Sequence, residues 1–412
     1  MKKLLFITTR VFWPTDSGRK YSLYHYCKGL HDKYGYDVYI YSFLENYEIE
    51  KYEPYPYFIK ELKLAKKVSK TTKLFNLFCK SLFGRWPFQC SILFSADNLK
   101  RIKEYSDLIE PDAVIVDMLR LAPYIKAFDS LKCKKILDMD DLLSERYKNQ
   151  LKNTSSGDLF GAFAGKNLFN KIVNSKPIKN IVLKSEAKRV FIFENKYGTL
   201  YDNVVFVSEK ETKIFNNNIG MEKGVTIRVG VDYSYYNEII NVHKKDGYLA
   251  FLGNLKYAPN ISSLKLIVNE ILPKLNFDYK LIVIGSVTQD VINSFDSDRI
   301  VFKGRVDDLR IVISECEMFV SPIVYGSGIK TKILEAFALG IPVITNDLGV
   351  EGLDGTENVI KVVNNYNEMS CLINDYHSNK EKLDKISILE KQLVKDYYQW
   401  DKIFDSFKLL DL

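Results

Sequence analysis

The sequence alternates short apolar runs with longer amphipathic segments along nearly its whole length, and this alternation constrains the fold more than any other feature. Six runs fall in each half of the chain: KLLFITT, YDVYIYSF, AVIVDM, KKILDMD, NVVFVS and VTIRV, then YLAFLGN, YKLIVIGS, RIVFKG, EMFVSPI, IPVITND and NVIKVV. Continuous apolar strands separated by helices are typical of parallel sheets covered on both faces. Twelve strands in 412 residues are too many for one compact sheet. The sequence therefore predicts an α/β fold with two doubly wound, Rossmann-like domains.

A polar stretch between the two halves marks the expected domain boundary. The segment YNEIINVHKKDG, residues 236–247, has the composition of a linker. We therefore predict a first domain over residues 1–236 and a second over 237–395. Because open parallel sheets bind ligands outside the carboxyl ends of their strands, two such domains facing each other are expected to enclose the ligand site in a cleft.

Composition and motifs exclude several classes of protein. No run of the sequence approaches the roughly 18 apolar residues of a membrane-spanning helix. The start, MKKLLFITTRVFWP, is interpreted as a buried first strand and not as a signal peptide. Six cysteines without CxxC spacing predict neither zinc nor disulfides and fit a reducing cytoplasm. The net charge of +7 permits anionic partners. The sequence has no RNP, helix-turn-helix or zinc signature that would indicate nucleic-acid binding. It also has no GxGxxG motif with a following acidic residue, which would indicate a dinucleotide oxidoreductase.

A basic region in the first half is a candidate membrane surface. Residues 60–85 contain eight Lys or Arg and one Glu, together with apolar residues at roughly helical spacing. This pattern predicts a basic amphipathic helix that associates with an anionic membrane surface. An ordinary solvated helix face is the alternative.

The segment YGSGIKTKILEAFALGIP, which begins at Tyr325, is the most informative part of the second half. A strand leads into a glycine-rich turn, and a helix follows that Gly340 closes. Glycines and the free N–H groups of a helix start favour a phosphate. Glu335 shares a helix face with Gly328 and Lys332, where a carboxylate can accept hydrogen bonds from ribose hydroxyls. The alternative is a structural turn before a buried helix, with Glu335 paired to Lys332.

The same segment, together with FLGNLKYAPN, VFKGRVDD, VGVD and VVFVSEKE, resembles the retaining nucleotide-sugar glycosyltransferases of family 4, which have the GT-B fold. Within that family it is most similar to bacterial sugar transferases of polysaccharide assembly. The matching motifs are spread over most of the chain in the family's order. The resemblance implies that residues 396–412 include a last helix that crosses back to the first domain.

The resemblance implies roles for particular residues. It places Glu335 at the donor ribose as the second glutamate of an E-x7-E motif, and Gly328 and Lys332 at the diphosphate. The other implied donor-site residues are Gly18 in the first loop, near the diphosphate and acceptor, and Lys256 as a further donor to the diphosphate. Arg305 and Val306 are placed beside the nucleobase, and Ser327 and Ile329 in the glycine turn. Two positions depart from the family pattern, because Ser327 stands where the first motif glutamate is expected and Arg19 replaces the second glycine of the first loop.

Acidic residues at the ends of two strands are further candidates. Asp117, at the end of AVIVDM, occupies the position where many relatives have a histidine facing the sugar, and a loop cap is its alternative role. Asp138, Asp140 and Asp141 are interpreted as solvated helix-capping carboxylates, with lining of the cleft or metal coordination as the alternatives. The resemblance implies no metal ion and no cofactor.

Together these inferences predict a glycosyltransferase that moves a sugar from a nucleotide-diphosphate donor, with a UDP-sugar preferred, to a glycan or polyprenyl-linked saccharide. The expected setting is bacterial polysaccharide synthesis in the cytoplasm, at the inner face of the plasma membrane. A nucleotide-sugar-binding pseudoenzyme, or a partner subunit of a glycosyltransferase complex, is the alternative.

Overall fold

The structure, a computed structural model, describes residues 1–15, 18–43, 52–152, 176–238, 242–295, 297–325 and 328–412. It divides into two compact units. Unit 1 comprises Met1–Arg228 and Phe404–Leu412, and unit 2 comprises Val229–Ile403. No helix among the described residues combines the length and the apolarity needed to span a bilayer.

Unit 1 is built on a seven-stranded parallel sheet in the order β3-β2-β1-β4-β5-β6-β7. The strands are β1 Lys2–Thr8, β2 Tyr36–Ser42, β3 Ile59–Leu64, β4 Ala113–Asp117, β5 Lys134–Asp140, β6 Asn203–Phe206 and β7 Gly224–Thr226. Strand β1 pairs with β2 on one side and with β4 on the other, so the strand order reverses there. In open α/β sheets, ligands bind beyond the carboxyl ends of the strands at such a reversal.

Helices connect these strands on both faces of the sheet. In unit 1 the α-helices are Gly18–Tyr34, Lys70–Asn76, Phe88–Leu93, Ala96–Ile109, Leu143–Lys152, Lys176–Gly198 and Glu209–Ile219. The helix Lys70–Asn76 continues as a π-helix over Leu77–Phe83. Two 3₁₀ segments, Leu119–Phe128 and Phe407–Leu410, also belong to this unit. The helix Trp400–Ser406 leads from unit 2 into the final segment of unit 1.

Unit 2 repeats the architecture on a five-stranded parallel sheet in the order β10-β9-β8-β11-β12. The strands are β8 Tyr248–Leu252, β9 Lys280–Ile284, β10 Ile300–Gly304, β11 Met318–Val320 and β12 Val343–Ile344. The helical segments are Tyr233–Asn237, Ala258–Leu266 with Ile267–Ile271 and Leu272–Lys274, Gln289–Asn293, Leu309–Ser314, Thr331–Leu339, Asp347–Val350, Thr356–Asn358, Tyr366–Ser378, and Lys380–Leu393 with Val394–Tyr398. Strand β8 lies between β9 and β11, which gives this sheet its own reversal point.

Both faces of the unit 2 sheet are buried, as the apolar runs predict. Ala250 and Phe319 belong to the hydrophobic core on one face, whereas their neighbours Leu249, Phe251 and Met318 belong to the core on the other. Successive side chains of a strand point to opposite faces, so a strand between two cores must be apolar at every position. The predicted fold, two doubly wound α/β domains, is confirmed.

Two of the predicted elements are wrong. Residues 59–64 form strand β3 in the region predicted as one basic helix, because IKELKL pairs in parallel with β2 and buries Ile59 and Leu62. NVIKVV is not a strand. Its segment contributes one backbone hydrogen bond at the sheet edge, from Val363 N to Thr345 O at 3.1 Å, which is too little to extend the ladder.

The unit boundaries lie after residues 228 and 403, whereas the sequence predicts them after residues 236 and 395. Val231 is buried in the core of unit 2, and its N–H donates to Tyr398 O at 2.7 Å. Gly230 packs so closely against the Trp400 ring that an added Cβ would lie 2.6 Å from it. These contacts keep residues 230–231, which precede the predicted boundary at 236, and residues 398–400, which follow the predicted boundary at 395, within unit 2.

Candidate functional site

The glycine turn of unit 2 connects strand β11 to the helix Thr331–Leu339. Gly340 ends this helix in the left-handed conformation, with φ of 68°, as the sequence predicts. Gly328 also has a positive φ, 77°, and an added Cβ would meet nothing within 4 Å. The backbone conformation therefore favours glycine, and the space beside it is open to a ligand. Gly326 and Ser327 lie outside the described residues.

Cationic and N–H groups gather at this helix start. Lys330 is the residue immediately before the helix, and its ammonium donates a hydrogen bond to Gly328 O. The first N–H groups of any α-helix have no partner within the helix, and they lie at the positive end of its dipole. The turn can thus offer hydrogen-bond donors and positive charge to an anion.

Lys332 lies in the first turn of this helix and Glu335 lies one turn further along, and the two are neighbours without forming an ion pair. Among the described residues, no hydrogen bond or salt bridge involves the Glu335 carboxylate. Burial raises the pKa of Glu335 to about 7, although the nearby Lys332 charge opposes this shift. The Lys332 ammonium instead donates to Leu252 O at 3.1 Å and lies 5.2 Å from the centroid of the Phe251 ring.

The pKa of Lys332 falls to about 8, because burial and the charge of Lys330 disfavour its protonated form and Glu335 compensates only in part. The structural alternative for Glu335, a carboxylate neutralised by a direct contact with Lys332, is therefore not the arrangement in this structure. A carboxylate that is costly to ionise and has no partner can accept hydrogen bonds from a ligand.

The remaining predicted donor residues of unit 2 share one edge of its sheet. Lys256 follows the carboxyl end of β8, and its backbone N–H donates to Asn254 Oδ1 at 3.0 Å while its side chain is exposed. Arg305 and Val306 follow the end of β10, where Arg305 is exposed and Val306 packs against the core. Ile329, also partly buried against this core, follows β11. The parallel strands thus place all these segments at the carboxyl edge.

In unit 1, the predicted residues Gly18 and Asp117 are brought together by Arg19. Gly18 is exposed at the start of its helix, and the next residue extends its guanidinium to the ends of β4 and β5. Arg19 Nη2 lies 2.7 Å from Asp117 Oδ1 and 2.9 Å from Asp138 Oδ2, and Nη1 lies 3.0 Å from Asp140 Oδ1. One guanidinium therefore holds three carboxylates at the reversal point of the sheet.

The three carboxylates titrate differently. Burial would raise the pKa of Asp117, but the charges of Arg19 and Arg10 and hydrogen bonds from Arg19 and Thr8 bring it below its ordinary value. Burial raises the pKa of Asp138 to about 6, with the neighbouring carboxylates adding to the effect and Arg19 opposing it. Burial likewise raises the pKa of Asp140.

The prediction that these acidic residues are solvated helix caps is wrong. Asp138 and Asp141 are buried, and the Arg146 Nε–H donates to Asp141 at 2.8 Å. Asp117 is also fully buried, with one oxygen bound to Arg19 and the other accepting from Thr8 Oγ1 at 2.9 Å. In this arrangement Asp117 can act on a substrate only through Arg19.

One group among the described residues has the geometry of metal ligands, namely Asp246, Glu317 and His377. The Lys380 ammonium already binds both carboxylates, and His377 Nδ1 lies 2.8 Å from Glu317 Oε2. Asp246 and Glu317 precede strands β8 and β11, so the group lies at the amino edge of the sheet. Its charged groups therefore pair with one another, at the edge of the sheet opposite the glycine turn.

Sequence reasoning missed two residues of these sites. Arg19 was noted only as a departure from a glycine, although its charge beside three strand-end aspartates predicts a partner for them. Lys330 was not singled out, although a lysine two residues after the last glycine of the turn could have indicated a second cation at the helix start.

Comparisons with known proteins bear on this geometry. Residues 246–375 match the family model described as glycosyl transferases group 1, and this range contains the glycine turn, Lys332 and Glu335. A protein described as an uncharacterized 44.6 kDa protein in the cps region of Klebsiella pneumoniae is 22% identical over 228 residues. That alignment covers 50% of this chain and 55% of the other, so the chain spans only about half the length of this relative.

Solved structures resemble the whole chain. Sucrose-phosphate synthase from Thermosynechococcus elongatus has a TM-score of 0.68 at 12% identity, covering 100% of this chain and 98% of that one. TarM has a TM-score of 0.67 at 13% identity, with the same coverage. HepE of Anabaena, solved with UDP-glucose, has a TM-score of 0.62 at 13% identity, covering 100% of both chains. The fold is GT-B. This fold and the group 1 domain together support a glycosyltransferase.

Proposed function

We propose that this protein is a retaining glycosyltransferase of family 4 that transfers a sugar from a nucleotide-diphosphate donor, with a UDP-sugar preferred. The group 1 domain supports the enzyme class. The HepE structures, which contain UDP, UDP and glucose, or UDP-glucose, support the donor class by analogy. The relative from a cps region supports a role in polysaccharide synthesis.

One observation carries the donor site: the Glu335 carboxylate is partly buried and has no hydrogen-bond or ion-pair partner among the described residues, in the helix that follows a glycine turn that suits a phosphate. In the proposal its oxygens accept hydrogen bonds from the ribose hydroxyls of the donor. A charged acceptor can bind two vicinal hydroxyls at once, and each such bond is worth about 1.5–3 kcal/mol. The uncompensated carboxylate is thereby satisfied when the donor binds.

The proposed chemistry depends on charge that develops as the glycosidic bond breaks. The acceptor hydroxyl attacks from the face that the leaving group departs, and a diphosphate oxygen takes the acceptor proton. Negative charge grows on the diphosphate, beside the backbone N–H groups at Gly328 and the ammonium groups of Lys330 and Lys332. Lys332 has three N–H donors, so it can keep its bond to Leu252 O while it donates to a phosphate. Lys256 is a further candidate, and the proposal includes no metal ion or other cofactor.

In unit 1 the proposal gives the Arg19 cluster a positioning role. Arg19 fixes Asp117 and holds the end of the first loop against strands β4 and β5, close to Gly18. The acceptor, proposed to be a glycan or a polyprenyl-linked saccharide, would bind on this unit. The proposed location is the cytoplasm, at the inner face of the plasma membrane.

The test is a screen of nucleotide sugars by thermal shift and by release of nucleoside diphosphate. The proposal expects UDP-sugars to stabilise the protein and to release UDP, with both effects weakened in Glu335→Gln. The anomeric configuration of the transferred sugar, read by NMR, should match that of the donor. Binding without release by any donor and acceptor tested would favour the pseudoenzyme, an alternative motivated by Ser327 at the position of the first motif glutamate. The absence of binding by any UDP-sugar would contradict the donor assignment.

A further inference from the structure

The helical segment Lys70–Phe83 of unit 1 has the reverse of the usual amphipathic arrangement. Its outer surface carries an apolar ridge, defined as Leu74, Phe75, Phe78, Leu82 and Phe83, whose members are 58–69% exposed. Its inward residues Asn76 and Ser81 are polar and buried. Helices of soluble proteins bury their apolar face, so this segment is built to contact something other than water.

Polar contacts hold the segment in this orientation. The Asn76 amide donates to Ser91 O at 3.0 Å and to Phe94 O at 2.8 Å. Ser81 Oγ donates to Ser91 Oγ at 2.7 Å. The Lys80 ammonium lies 4.5 Å from the centroid of the Trp86 ring. A simple rotation that would bury the ridge would break these contacts and expose the polar groups they satisfy.

The π-helical geometry of residues 77–83 explains how the ridge is continuous. A π-helix closes hydrogen bonds between residues five apart, so residues at this spacing lie on the same face. Asn76 and Ser81 are five apart and both point inward, whereas Phe78 and Phe83 are five apart and both point outward, with ring centroids 5.0 Å apart. The π turn thus extends both the polar inner face and the apolar outer face to the end of the segment.

Positive charge surrounds the ridge. Residues 62–96 contain seven Lys or Arg and no Asp or Glu. Lys63 is paired with Glu61 at 3.6 Å and Lys66 with Asp97 at 3.2 Å, and the Lys80 ammonium lies against the Trp86 ring. Four cations of this stretch have no hydrogen-bond or ion-pair partner among the described residues: Lys67, Lys70, Lys73 and Arg85. An apolar strip flanked by unpaired cations matches the interface of a bilayer that contains anionic lipid.

We propose that the segment Lys70–Phe83 inserts its apolar ridge into the interface of an anionic membrane while the four cations bind lipid headgroups. A second copy of the chain fits less well, because two ridges in contact would bring two like-charged rims together. The proposal rests on the proposed function only for its purpose, which is to bring the enzyme to a lipid-linked acceptor. The surface itself is independent of the transferase activity.

The test is flotation of the full chain with phosphatidylcholine vesicles, with and without phosphatidylglycerol, at low and high salt. The protein should float with the anionic vesicles at low salt and lose binding at high salt. Phe75→Ser with Phe78→Ser should reduce partitioning at least about tenfold. Lys70→Glu with Lys73→Glu should reduce it at least about 25-fold, since each cation contributes about fivefold.

Matched controls on the same unit separate the ridge from general exposure. Leu108→Ser with Ile181→Ser removes two apolar side chains that are at least as exposed as Phe75 and Phe78. Lys210→Glu with Lys213→Glu reverses two other surface charges. Both controls should float like the unmodified protein. UDP binding should be unchanged in every variant, which separates failure of this proposal from failure of the donor site.

Two outcomes would overturn the proposal. In the first, the unmodified protein fails to float with anionic vesicles at low salt. In the second, the ridge variant and the charge variant float as well as the unmodified protein. A concentration-dependent dimer that Phe75→Ser with Phe78→Ser abolishes, without vesicle binding, would assign the ridge to a contact between copies of the chain instead.

Discussion

Glu335→Gln should make the folded protein more stable above neutral pH while it weakens donor binding. In the folded protein burial raises the pKa of Glu335 to about 7, from its ordinary value of 4.5. The difference corresponds to about 3 kcal/mol, because one pKa unit equals about 1.4 kcal/mol. The glutamine side chain has nearly the same shape and carries no charge, so it avoids this cost.

The pH dependence gives the sign of the effect. Below about pH 4.5 the carboxyl is protonated in both states, so the two proteins should be equally stable. As the pH rises from about 4.5 to about 7, the unfolded chain releases this proton while the folded chain retains it, and the unmodified protein loses stability relative to the variant. Above about 7 the gap should remain near 3 kcal/mol.

The assay is denaturant unfolding of both proteins at about pH 4, 6 and 8, with and without UDP. The unmodified protein should gain more stability from UDP than Glu335→Gln does, because the donor satisfies the carboxylate. The exposed residue Glu357 provides a matched control, and Glu357→Gln should change neither quantity. If Glu335→Gln were less stable than the unmodified protein at pH 8, the carboxylate would be a structural partner and our reasoning would be refuted.

Three further predictions follow from the same contacts. UDP affinity should be greatest between about pH 7 and 8 in a calorimetric pH series. The pKa of Glu335 is raised to about 7, so the carboxylate loses its charge below this window. The pKa of Lys332 is lowered to about 8, so the ammonium loses its charge above it. Lys332→Ala should reduce turnover more than donor affinity in steady-state kinetics, since charge on the diphosphate grows in the transition state, and Lys361→Ala at an exposed site should do neither. Arg19→Met should lower the free energy of unfolding by about 3–5 kcal/mol near pH 8. The loss should be smaller near pH 5, where Asp138, with its pKa raised to about 6, is protonated. An equal loss at both pH values would contradict the role of Arg19 as the counter-charge.

The sequence was sufficient for most of the fold because the strands carry their own signal. A strand covered on both faces must be apolar at every position, and eleven of the twelve predicted runs are strands in the structure. Strand β3 was missed because it lies at the sheet edge, where IKELKL needs few apolar residues. NVIKVV does not form a strand although its sequence predicts one, because an apolar segment packed beside the edge of a sheet has the same composition as an edge strand.

The candidate sites divide in the same way between local and long-range information. The glycine turn, Lys332 and Glu335 lie within nine residues of one another, so turn chemistry and helical spacing were enough to group them. The cluster around Arg19 joins residues about 100 to 120 positions apart in sequence, and only the strand order brings them together. The buried polar side of the helix 70–83 likewise depends on contacts with residues 91 and 94, which helical periodicity alone does not reveal.

The most direct test of the donor site is a calorimetric cycle that combines Glu335→Gln with removal of a ribose hydroxyl. UDP and 2′-deoxy-UDP would each be titrated into the unmodified protein and the variant at about pH 8. If Glu335 binds the ribose, either change alone should weaken binding by at least about tenfold, and the two together should cost little more than one. Additive losses, or equal affinity of both proteins for UDP, would show that Glu335 does not contact the ribose and would contradict the proposed site.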